Sequence, residues 1–365
     1  MARACIASIN LEAIKRNYLY AKSLAPNSQA IAIVKADAYG HGAVEVTTHL
    51  EDTVDAFGVA CTEEAIEIRE VGLEKKPILL LEGMFEKSEL ELLEKYKLLP
   101  VIGNKSQLKW ILEAKLKSPT KVFVKYDSGM SRLGFHRDEF KQALKALEAS
   151  NNVAEIVLMT HFSKADEPYD IATQNQIDNF NRIAKETGHP SSIANSAGIV
   201  AWRNSHKQYN RPGIMLYGSS PFTEARYQKN LAPVMTLSSV LISIKNFKKG
   251  QGIGYGSRFT CKKDMKIGVV AVGYADGYPR LASNKGYALI NGVKAPIVGV
   301  VCMDFIMLDV TDCGGVDIDS LVVLIGKQGI QQVTVEDMAD WAMTIPYEIL
   351  CNVSKRSNYK YIGSN

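Results

Sequence analysis

Eight short apolar runs, rich in β-branched residues, alternate with longer amphipathic stretches through the first 220 residues of the chain. The runs are "AIAIVK" from Ala30, "AFGVA" from Ala56, "PILLLE" from Pro77, "LLPVIG" from Leu98, "KVFVKY" from Lys121, "EIVLMTHF" from Glu155, "SIANS" from Ser192 and "RPGIMLYG" from Arg211. The stretches between them, such as "RDEFKQALKALEAS", have the apolar spacing of helices. Eight such units predict a closed (β/α)8 barrel, and counting alone leaves an open, doubly wound sheet as the alternative.

The pattern changes at about residue 231. From there, apolar or alternating runs such as "VMTLSSVLISIKNF" and "SLVVLIG" are separated by Gly, Asn and Asp turns, which predicts mostly β structure. The opening run "RACIASIN" has no partner in the barrel pattern, so we expect it to pair with these later strands. The predicted domains are residues 1–10 as a strand of the β domain, 11–230 as an N-terminal (β/α)8 TIM-like barrel, and 231–365 as a C-terminal, mostly β domain.

Composition argues against several classes of protein. The chain has 43 basic and 39 acidic residues with no block of like charge, so charge does not indicate a nucleic-acid or membrane partner. Six cysteines lie scattered without a C-x-x-C pair, and we expect neither a metal site nor a disulfide framework. No apolar stretch reaches about 18 residues, and the start of the chain lacks the apolar core of a signal peptide. We therefore expect a soluble, cytoplasmic protein.

Polar residues end several of the predicted barrel strands. Lys35 ends the run in "IAIVKADAYGHG", Lys125, His161 and the pair Asn195 and Ser196 hold equivalent positions, and Arg211 opens "RPGIM" and is placed with them. In a barrel, the C-terminal ends of the strands face the mouth, where barrel enzymes place their chemistry. Any one of these residues alone could simply reach solvent, but together they indicate a functional site.

The chemistry of this mouth favours a carbonyl cofactor. A desolvated lysine has a lowered pKa and attacks carbonyl carbons, as Schiff-base lysines do, and pyridoxal phosphate is their common partner. The segments "NSAG" and "RPGI" follow the last two predicted strands and can supply hydroxyl and N–H donors to a phosphate.

Nine short motifs, in order, resemble those of bacterial alanine racemase, a fold-type III pyridoxal-phosphate enzyme family, and the resemblance covers nearly the whole chain. They are "IVKADAYGHGA", "KYDSGMSRLGF", "THFSKAD", "NSAG", "RPGIMLYG", "GYGSRF", "VGYADGY", "VCMD" and "YEILC". The resemblance implies a pyridoxal 5'-phosphate-dependent racemase that interconverts L-alanine and D-alanine and supplies D-alanine for peptidoglycan.

The same resemblance assigns roles to individual residues. Lys35 would hold the cofactor and act as one of two acid/base groups, and Tyr255 would be the other, because racemisation removes a proton from one face of Cα and returns it on the opposite face. Arg211 would donate to the pyridine nitrogen, and His161 would bridge Arg211 and Tyr255. The further implied roles are substrate binding by Arg132 and Met303, cofactor binding by Tyr39, Asn195, Ser196, Gly213, Ile214 and Tyr347, carbamylation of Lys125, and lining of the entrance by Tyr274, Asp166 and Arg280.

The family resemblance also implies a homodimer with shared active sites. The β domain of one chain would cover the barrel mouth of the other, so that Tyr255, Cys302, Met303 and Asp304 act on the partner's substrate. The chain departs from the family pattern near "VCMD", where Val300 replaces a basic residue and Phe305 replaces a glutamine. This puts the charge pairing of the entrance corridor in doubt.

Three alternatives to alanine racemisation stay open at this point. A serine or broad-specificity racemase would carry nearly the same motifs. A pyridoxal-phosphate decarboxylase of the same fold is disfavoured because its glycine triplet for phosphate is missing. A non-catalytic, cofactor-binding barrel protein is disfavoured because such proteins lack the β domain that contains Tyr255.

Overall fold

A computed structural model describes residues 4–222, 224, 230–353 and 355–363. The chain forms two compact units. The barrel unit contains residues 13–38 and 42–232, and the β unit contains residues 1–12, 39–41 and 233–365. The first strand, β1 (Ile6–Asn10), belongs to the β unit. The predicted domain boundaries at residues 10 and 230 stay a prediction.

The barrel unit is a closed barrel of eight parallel strands in chain order. The strands are β2 (Gln29–Ile33), β3 (Ala56–Val59), β4 (Ile78–Leu80), β5 (Leu98–Ile102), β6 (Thr120–Lys125), β7 (Val153–Met159), β8 (Ser191–Asn195) and β9 (Tyr209–Arg211). Strand β9 pairs with β2 and closes the ring, with Gln29 opposite Tyr209. This confirms the predicted (β/α)8 barrel and excludes the open sheet.

Helices follow the strands in sequence. They are α1 (Leu11–Leu24), α2 (Lys35–Gly40), α3 (Ala43–Leu50), α4 (Thr62–Glu70), α5 (Leu90–Lys95), α6 (Lys105–Glu113), α7 (Arg137–Glu148), α8 (Ile171–Thr187) and α9 (Ser196–Ala201). Helix α7 shows why they form, since it buries Phe140, Ala143, Leu144 and Leu147 on one face at helical spacing. Among the described residues, no helix has both the length and the apolar character needed to cross a membrane.

The eighth predicted strand was wrong beyond its first residue. The run "RPGIMLYG" contributes only Arg211 to β9, and Ile214–Tyr217 forms a 3-10 helix. Pro212 has no N–H for a strand ladder, which explains why an apolar run does not continue as a strand here. The chain instead turns at Gly213, and the Tyr217 hydroxyl donates to the carbonyl of Ile33 at 2.7 Å.

The β unit is built around the long strand β10 (Met235–Phe247). The later strands are β11 (Gly252–Ile253), β12 (Phe259–Thr260), β13 (Met265–Val270), β14 (Tyr287–Ile290), β15 (Val293–Pro296), β16 (Ile306–Asp309), β17 (Leu321–Gln328), β18 (Gln331–Val333) and β19 (Asn358–Ile362), with helices α10 (Val335–Ala342) and α11 (Pro346–Cys351). The main sheet has the order β15-β14-β17-β10-β1-β19, and β13 pairs with β10 and β16. Strand β1 is antiparallel to β10 and parallel to β19. The predicted mostly β architecture is confirmed.

Candidate active site

Five basic side chains lie at the C-terminal ends of the barrel strands. Lys35 follows β2, Lys125 ends β6, Arg132 lies in the loop after β6, His161 follows β7, and Arg211 ends β9. They are close enough for their charges to interact, because Arg211, Arg132 and Lys35 each lower the pKa of both Lys125 and His161. The barrel mouth is therefore strongly positive, and it favours anionic ligands.

Lys125 is only 7% exposed. Burial lowers its pKa to about 8, and the charges of Arg211 and Arg132 act in the same direction, while Glu82 opposes them. Near neutral pH a fraction of this lysine is thus an uncharged amine, which is the nucleophilic form.

Arg211 is 3% exposed, and its side chain contacts β8 and the residue that follows β7. Its Nη1 donates to Ser192 Oγ and its Nη2 to the Thr160 carbonyl, each at 2.6 Å. Burial lowers the pKa of Arg211 to about 9, so the guanidinium stays charged at neutral pH. Within the described residues its Nε–H and one of its two Nη1–H groups have no acceptor, which leaves two donors of a buried cation for a ligand.

His161 accepts from the same guanidinium. Its Nδ1 lies 3.4 Å from Arg211 Nη2, and both nitrogens of a charged ring would have to be donors. Burial and the charge of Arg211 lower the pKa of His161 well below its usual range. The ring is therefore neutral, with its proton on Nε2.

Lys35 opens a left-handed helical turn, α2, which sequence reasoning missed. Its four following residues, Ala36, Asp37, Ala38 and Tyr39, have φ of 51°, 53°, 52° and 55°. Each non-glycine residue in this region costs about 1–2 kcal/mol. The turn is held by an N–H···O bond from Ala38 to the Val34 carbonyl at 2.9 Å and by the Asp37 carboxylate, which accepts from the Ala43 N–H at 2.7 Å. Backbone strain next to a candidate nucleophile is typical of functional sites.

The segments after β8 and β9 form a cluster of hydroxyl and N–H groups. Ser196 Oγ accepts from the N–H of Gly213 at 2.9 Å, and Asn195 accepts from the Gly198 N–H at 2.9 Å as the N-cap of α9. Ile214 begins the adjoining 3-10 helix. These two N–H groups are used within the cluster, and the Ser196 hydroxyl proton can be donated to an anionic oxygen such as that of a phosphate.

Asp127 shapes the loop that presents Arg132, and the sequence analysis did not single it out. One carboxylate oxygen accepts from the N–H groups of Gly129, Met130 and Ser131 at 3.0, 2.9 and 3.0 Å. Arg132 itself is exposed at the end of this loop. The signal that could have found Asp127 is the Asp-Ser-Gly turn chemistry of "YDSGMSR".

In the β unit, Tyr39 contacts Tyr347 of α11. Their ring centroids are 5.9 Å apart, and burial raises the pKa of Tyr39, with a further contribution from Tyr347. The neighbouring Gly40 must lack a side chain, because a Cβ there would lie 2.3 Å from the Leu350 carbonyl oxygen.

Tyr255 and Met303 are exposed on the β unit, by 70% and 52%. The turn that contains Tyr274 lies against the segment of Met303, since the Tyr274 N–H donates to the Cys302 carbonyl at 3.0 Å and the Ala275 N–H donates to the Met303 carbonyl at 3.0 Å. Residues from two predicted motifs, "VGYADGY" and "VCMD", are thus held together.

Arg356 joins the same two segments, and no motif pointed to it. Its Nη2 donates to Asp304 Oδ1 at 2.6 Å, and its Nε lies 3.5 Å from the buried Asp276 carboxylate. Of the residues predicted at the entrance, Asp166 is exposed on the barrel unit and Arg280 is exposed on the β unit. Val300 is buried, whereas Phe305 is exposed.

The comparisons with known proteins agree along the whole chain. The family model "Alanine racemase, N-terminal domain" matches residues 9–221, and "Alanine racemase, C-terminal domain" matches residues 234–361. The chain is 43% identical over 362 residues to the alanine racemase of Pseudomonas taetrolens and to the catabolic alanine racemase of Pseudomonas putida, covering 99% of each chain in both cases.

Solved structures show the same likeness. The biosynthetic alanine racemase from Pseudomonas aeruginosa superposes with a TM-score of 0.94 at 38% identity, covering 99% of both chains. The alanine racemase from Bartonella henselae, with covalently bound pyridoxal phosphate, has a TM-score of 0.90 at 29% identity and covers 98% of this chain and 99% of its own.

Proposed function

The chain belongs to the alanine racemase family, and from this premise we propose that it interconverts L-alanine and D-alanine with pyridoxal 5'-phosphate in the barrel mouth. The observation that carries the proposal is the position of Lys35 at the end of β2, in a mouth that also holds Lys125, Arg132, His161 and Arg211. The full-length match to alanine racemases supports assigning racemase chemistry to this arrangement.

The residues of the mouth fit pyridoxal phosphate. Arg211 has donors left for the ring nitrogen, and the hydroxyl proton of Ser196 can be donated to the phosphate. The positive potential of the mouth suits an anionic cofactor and a carboxylate substrate. When bound, pyridoxal phosphate withdraws electrons from the amino acid's Cα and makes its hydrogen acidic.

Lys35 and Tyr255 are the two acid/base groups of the proposal. Lys35 Nζ would hold the cofactor and exchange the Cα proton on one face, and the Tyr255 phenol would exchange it on the opposite face. Exposure of Tyr255 on the β unit supports a role toward a second chain.

Arg211 and His161 would affect this proton exchange through their hydrogen bonds to the cofactor and to Tyr255. A guanidinium donates a hydrogen bond without giving up its proton at neutral pH, so Arg211 limits electron withdrawal and disfavours transamination. The neutral His161 would accept from Arg211 through Nδ1 and present its Nε2–H to Tyr255.

The remaining residues would bind and orient the substrate and the cofactor. Arg132 and the Met303 N–H would hold the substrate carboxylate, since a guanidinium matches carboxylate geometry. Tyr274, Asp166 and Arg280 would line the entrance. The groups proposed to bind the cofactor phosphate or ring are Tyr39, Asn195, Ser196, Gly213, Ile214 and Tyr347.

We propose that Lys125 is carbamylated. Its pKa of about 8 leaves neutral amine at physiological pH. The amine adds to the carbon of CO2 and loses one proton, which converts a buried cation into an anion beside Arg132.

The proposed assembly is a homodimer. Tyr255, Tyr274, Leu281, Met303 and Phe305 are large exposed side chains of the β unit. Exposed apolar groups of this kind mark interaction surfaces. In the proposal they cover the partner's mouth, and Cys302 and Asp304 accompany them.

Biologically, we propose cytoplasmic supply of D-alanine for peptidoglycan. Relatives of the chain are described both as catabolic and as biosynthetic. A serine or broad-specificity racemase is the alternative outcome of the test below.

The test is incubation of the purified protein with pyridoxal phosphate and L-alanine in deuterated water, followed by chiral separation and mass analysis. D-alanine with deuterium at Cα is the expected product. Racemisation of serine in preference to alanine would redirect the assignment, and release of CO2 with an amine product would replace it by decarboxylation.

Shared active sites are tested by mixing two inactive variants, Lys35→Ala and Tyr255→Phe. If Tyr255 acts in the partner's site, each mixed dimer has one site with both native residues, and an equimolar mixture regains roughly a quarter of wild-type activity. No regain after subunit exchange, confirmed by mass of the mixed dimers, would place Tyr255 in its own chain's site.

A further inference from the structure

Glu64, on the first turn of α4, joins two neighbouring strand ends of the barrel. Its Oε1 accepts from the Ala36 N–H at 2.7 Å, and its Oε2 accepts from the Ala60 N–H at 2.8 Å. Ala36 directly follows Lys35, and Ala60 directly follows β3. One carboxylate therefore connects the backbone beside Lys35 to the next strand of the barrel.

The bond to Ala36 is made where the backbone most needs one. The first N–H groups of a helical turn have no partner inside the turn. Ala36 is the first residue of α2 with a left-handed φ, 51°, and nothing in an alanine side chain favours that conformation. A charge-assisted bond from a carboxylate is among the strongest available to such an amide.

We propose that Glu64 is a positioning residue for racemisation, which fixes the backbone of the left-handed turn and thereby the place of Lys35 Nζ in the mouth. The inference rests on the proposed role of Lys35. Glu64 itself touches neither substrate nor cofactor in this proposal, and acts only through the Ala36 amide. A shift of about 1 Å in an acid/base group costs on the order of 100-fold in rate, so a lost backbone anchor is enough to affect turnover.

The test compares Glu64→Gln with Glu67→Gln in the full-length chain. The glutamine at 64 keeps the shape but has one acceptor oxygen, so its NH2 group faces one of the two N–H donors. Glu67 lies three residues later on α4, is exposed, and loses the same charge. We expect Glu64→Gln to lower kcat about 10- to 100-fold with KM within about twofold, and Glu67→Gln to leave both unchanged.

A second readout needs neither cofactor nor substrate. Amide hydrogen exchange, measured by mass spectrometry on peptides covering Ala36 and Ala60, should be about tenfold faster in Glu64→Gln than in the wild type or Glu67→Gln. Peptides from the far end of the barrel should be unchanged. Unchanged exchange at Ala36, or a wild-type kcat in Glu64→Gln, would overturn the proposal.

The truncated variant Glu64→Ala gives an independent check. Added formate supplies a carboxylate to the vacated space, and we expect it to raise kcat of this variant while chloride at equal ionic strength does not. Equal responses to both anions would also count against the proposal. Failure of the proposed function would appear separately, in the wild type itself, as cofactor that borohydride does not trap on Lys35.

Discussion

Strand β6 has a lysine near each end, and the pKa values of the two lysines are shifted in opposite directions. Lys121, at the end far from the mouth, is paired with Glu155 at 3.0 Å and donates to the Tyr209 hydroxyl at 2.5 Å. Burial alone would lower its pKa, but these two partners together raise it. Lys125 forms no ion pair within the described residues, and burial lowers its pKa to about 8.

The two lysines are four residues apart, which places them on the same side of the strand at about 13 Å from each other. Local sequence and backbone therefore do not explain the contrast. Residues from other strands explain it: Glu155 of β7 and Tyr209 of β9 contact Lys121, whereas His161, which follows β7, and Arg211, which ends β9, lie at the end of Lys125. In a barrel the end opposite the mouth serves stability, while the mouth keeps uncompensated charge for ligands.

The largest expected effect comes from a lysine of the mouth. Lys35→Ala should lower racemisation by more than roughly 1,000-fold and prevent covalent cofactor attachment, because it removes an acid/base group and the attachment point together. Steady-state kinetics in both directions and borohydride trapping measure this. Lys145→Ala, an exposed lysine of α7, is the matched control. Retained racemisation in Lys35→Ala would show that the mouth has another base.

A smaller effect, on stability, is expected at Lys125. Lys125→Met removes a buried cation, and in CO2-free buffer at pH 7 it should raise the free energy of unfolding by roughly 1–3 kcal/mol. The pKa of Lys125 is lowered on folding, so the wild-type protein gains stability as pH rises from about 8 toward the unfolded-state value near 10.4. The difference in the free energy of unfolding between Lys125→Met and the wild type should therefore become smaller over that range. Urea titrations at several pH values measure this difference. A lower free energy of unfolding for Lys125→Met at pH 7 would contradict the prediction that the charged Lys125 destabilises the fold.

The smallest effect is expected at the opposite end. Lys121→Met should lower the free energy of unfolding by about 1–2 kcal/mol while racemisation stays at the wild-type level, because it breaks a partly exposed ion pair far from the mouth. The pKa of Lys121 is raised on folding, so its contribution is fully present below the unfolded-state value near 10.4 and is lost as pH rises through the folded-state value. If Lys121→Met lowered kcat without lowering the free energy of unfolding, the end of the barrel that contains Lys121 would be coupled to the chemistry at the mouth.

The sequence predicted the barrel because each strand carries its own signal in β-branched residues. The eighth run is the exception. The residues after Arg211 are equally apolar, but Pro212 and Gly213 end the strand and Ile214–Tyr217 forms a 3-10 helix. The candidate residues of the barrel mouth were predicted for a similar reason, because a polar residue at the end of an apolar run is visible along the chain.

What the sequence did not reveal depends on contacts through space. The run "KVFVKY" presents Lys121 and Lys125 almost symmetrically, and only the residues of other strands distinguish them. The left-handed turn after Lys35 has no signature in "ADAY", because alanine and tyrosine do not favour positive φ. In the sequence, Glu64 is an ordinary acidic residue in the first turn of a helix. Its proposed positioning role follows from its hydrogen bonds to the Ala36 and Ala60 N–H groups, which only the structure shows.

The position of β1 has a consequence for the order in which the molecule can be made. Strand β1 lies between β10 and β19, so the first strand of the described residues pairs with the last one. All eight barrel strands are translated before β10 appears, and β1 must wait for more than 200 residues before its first neighbour exists. During synthesis its edge is unpaired, a condition in which strands are prone to wrong pairing. The main sheet can be completed only after the five-residue strand β19, Asn358–Ile362, has been translated.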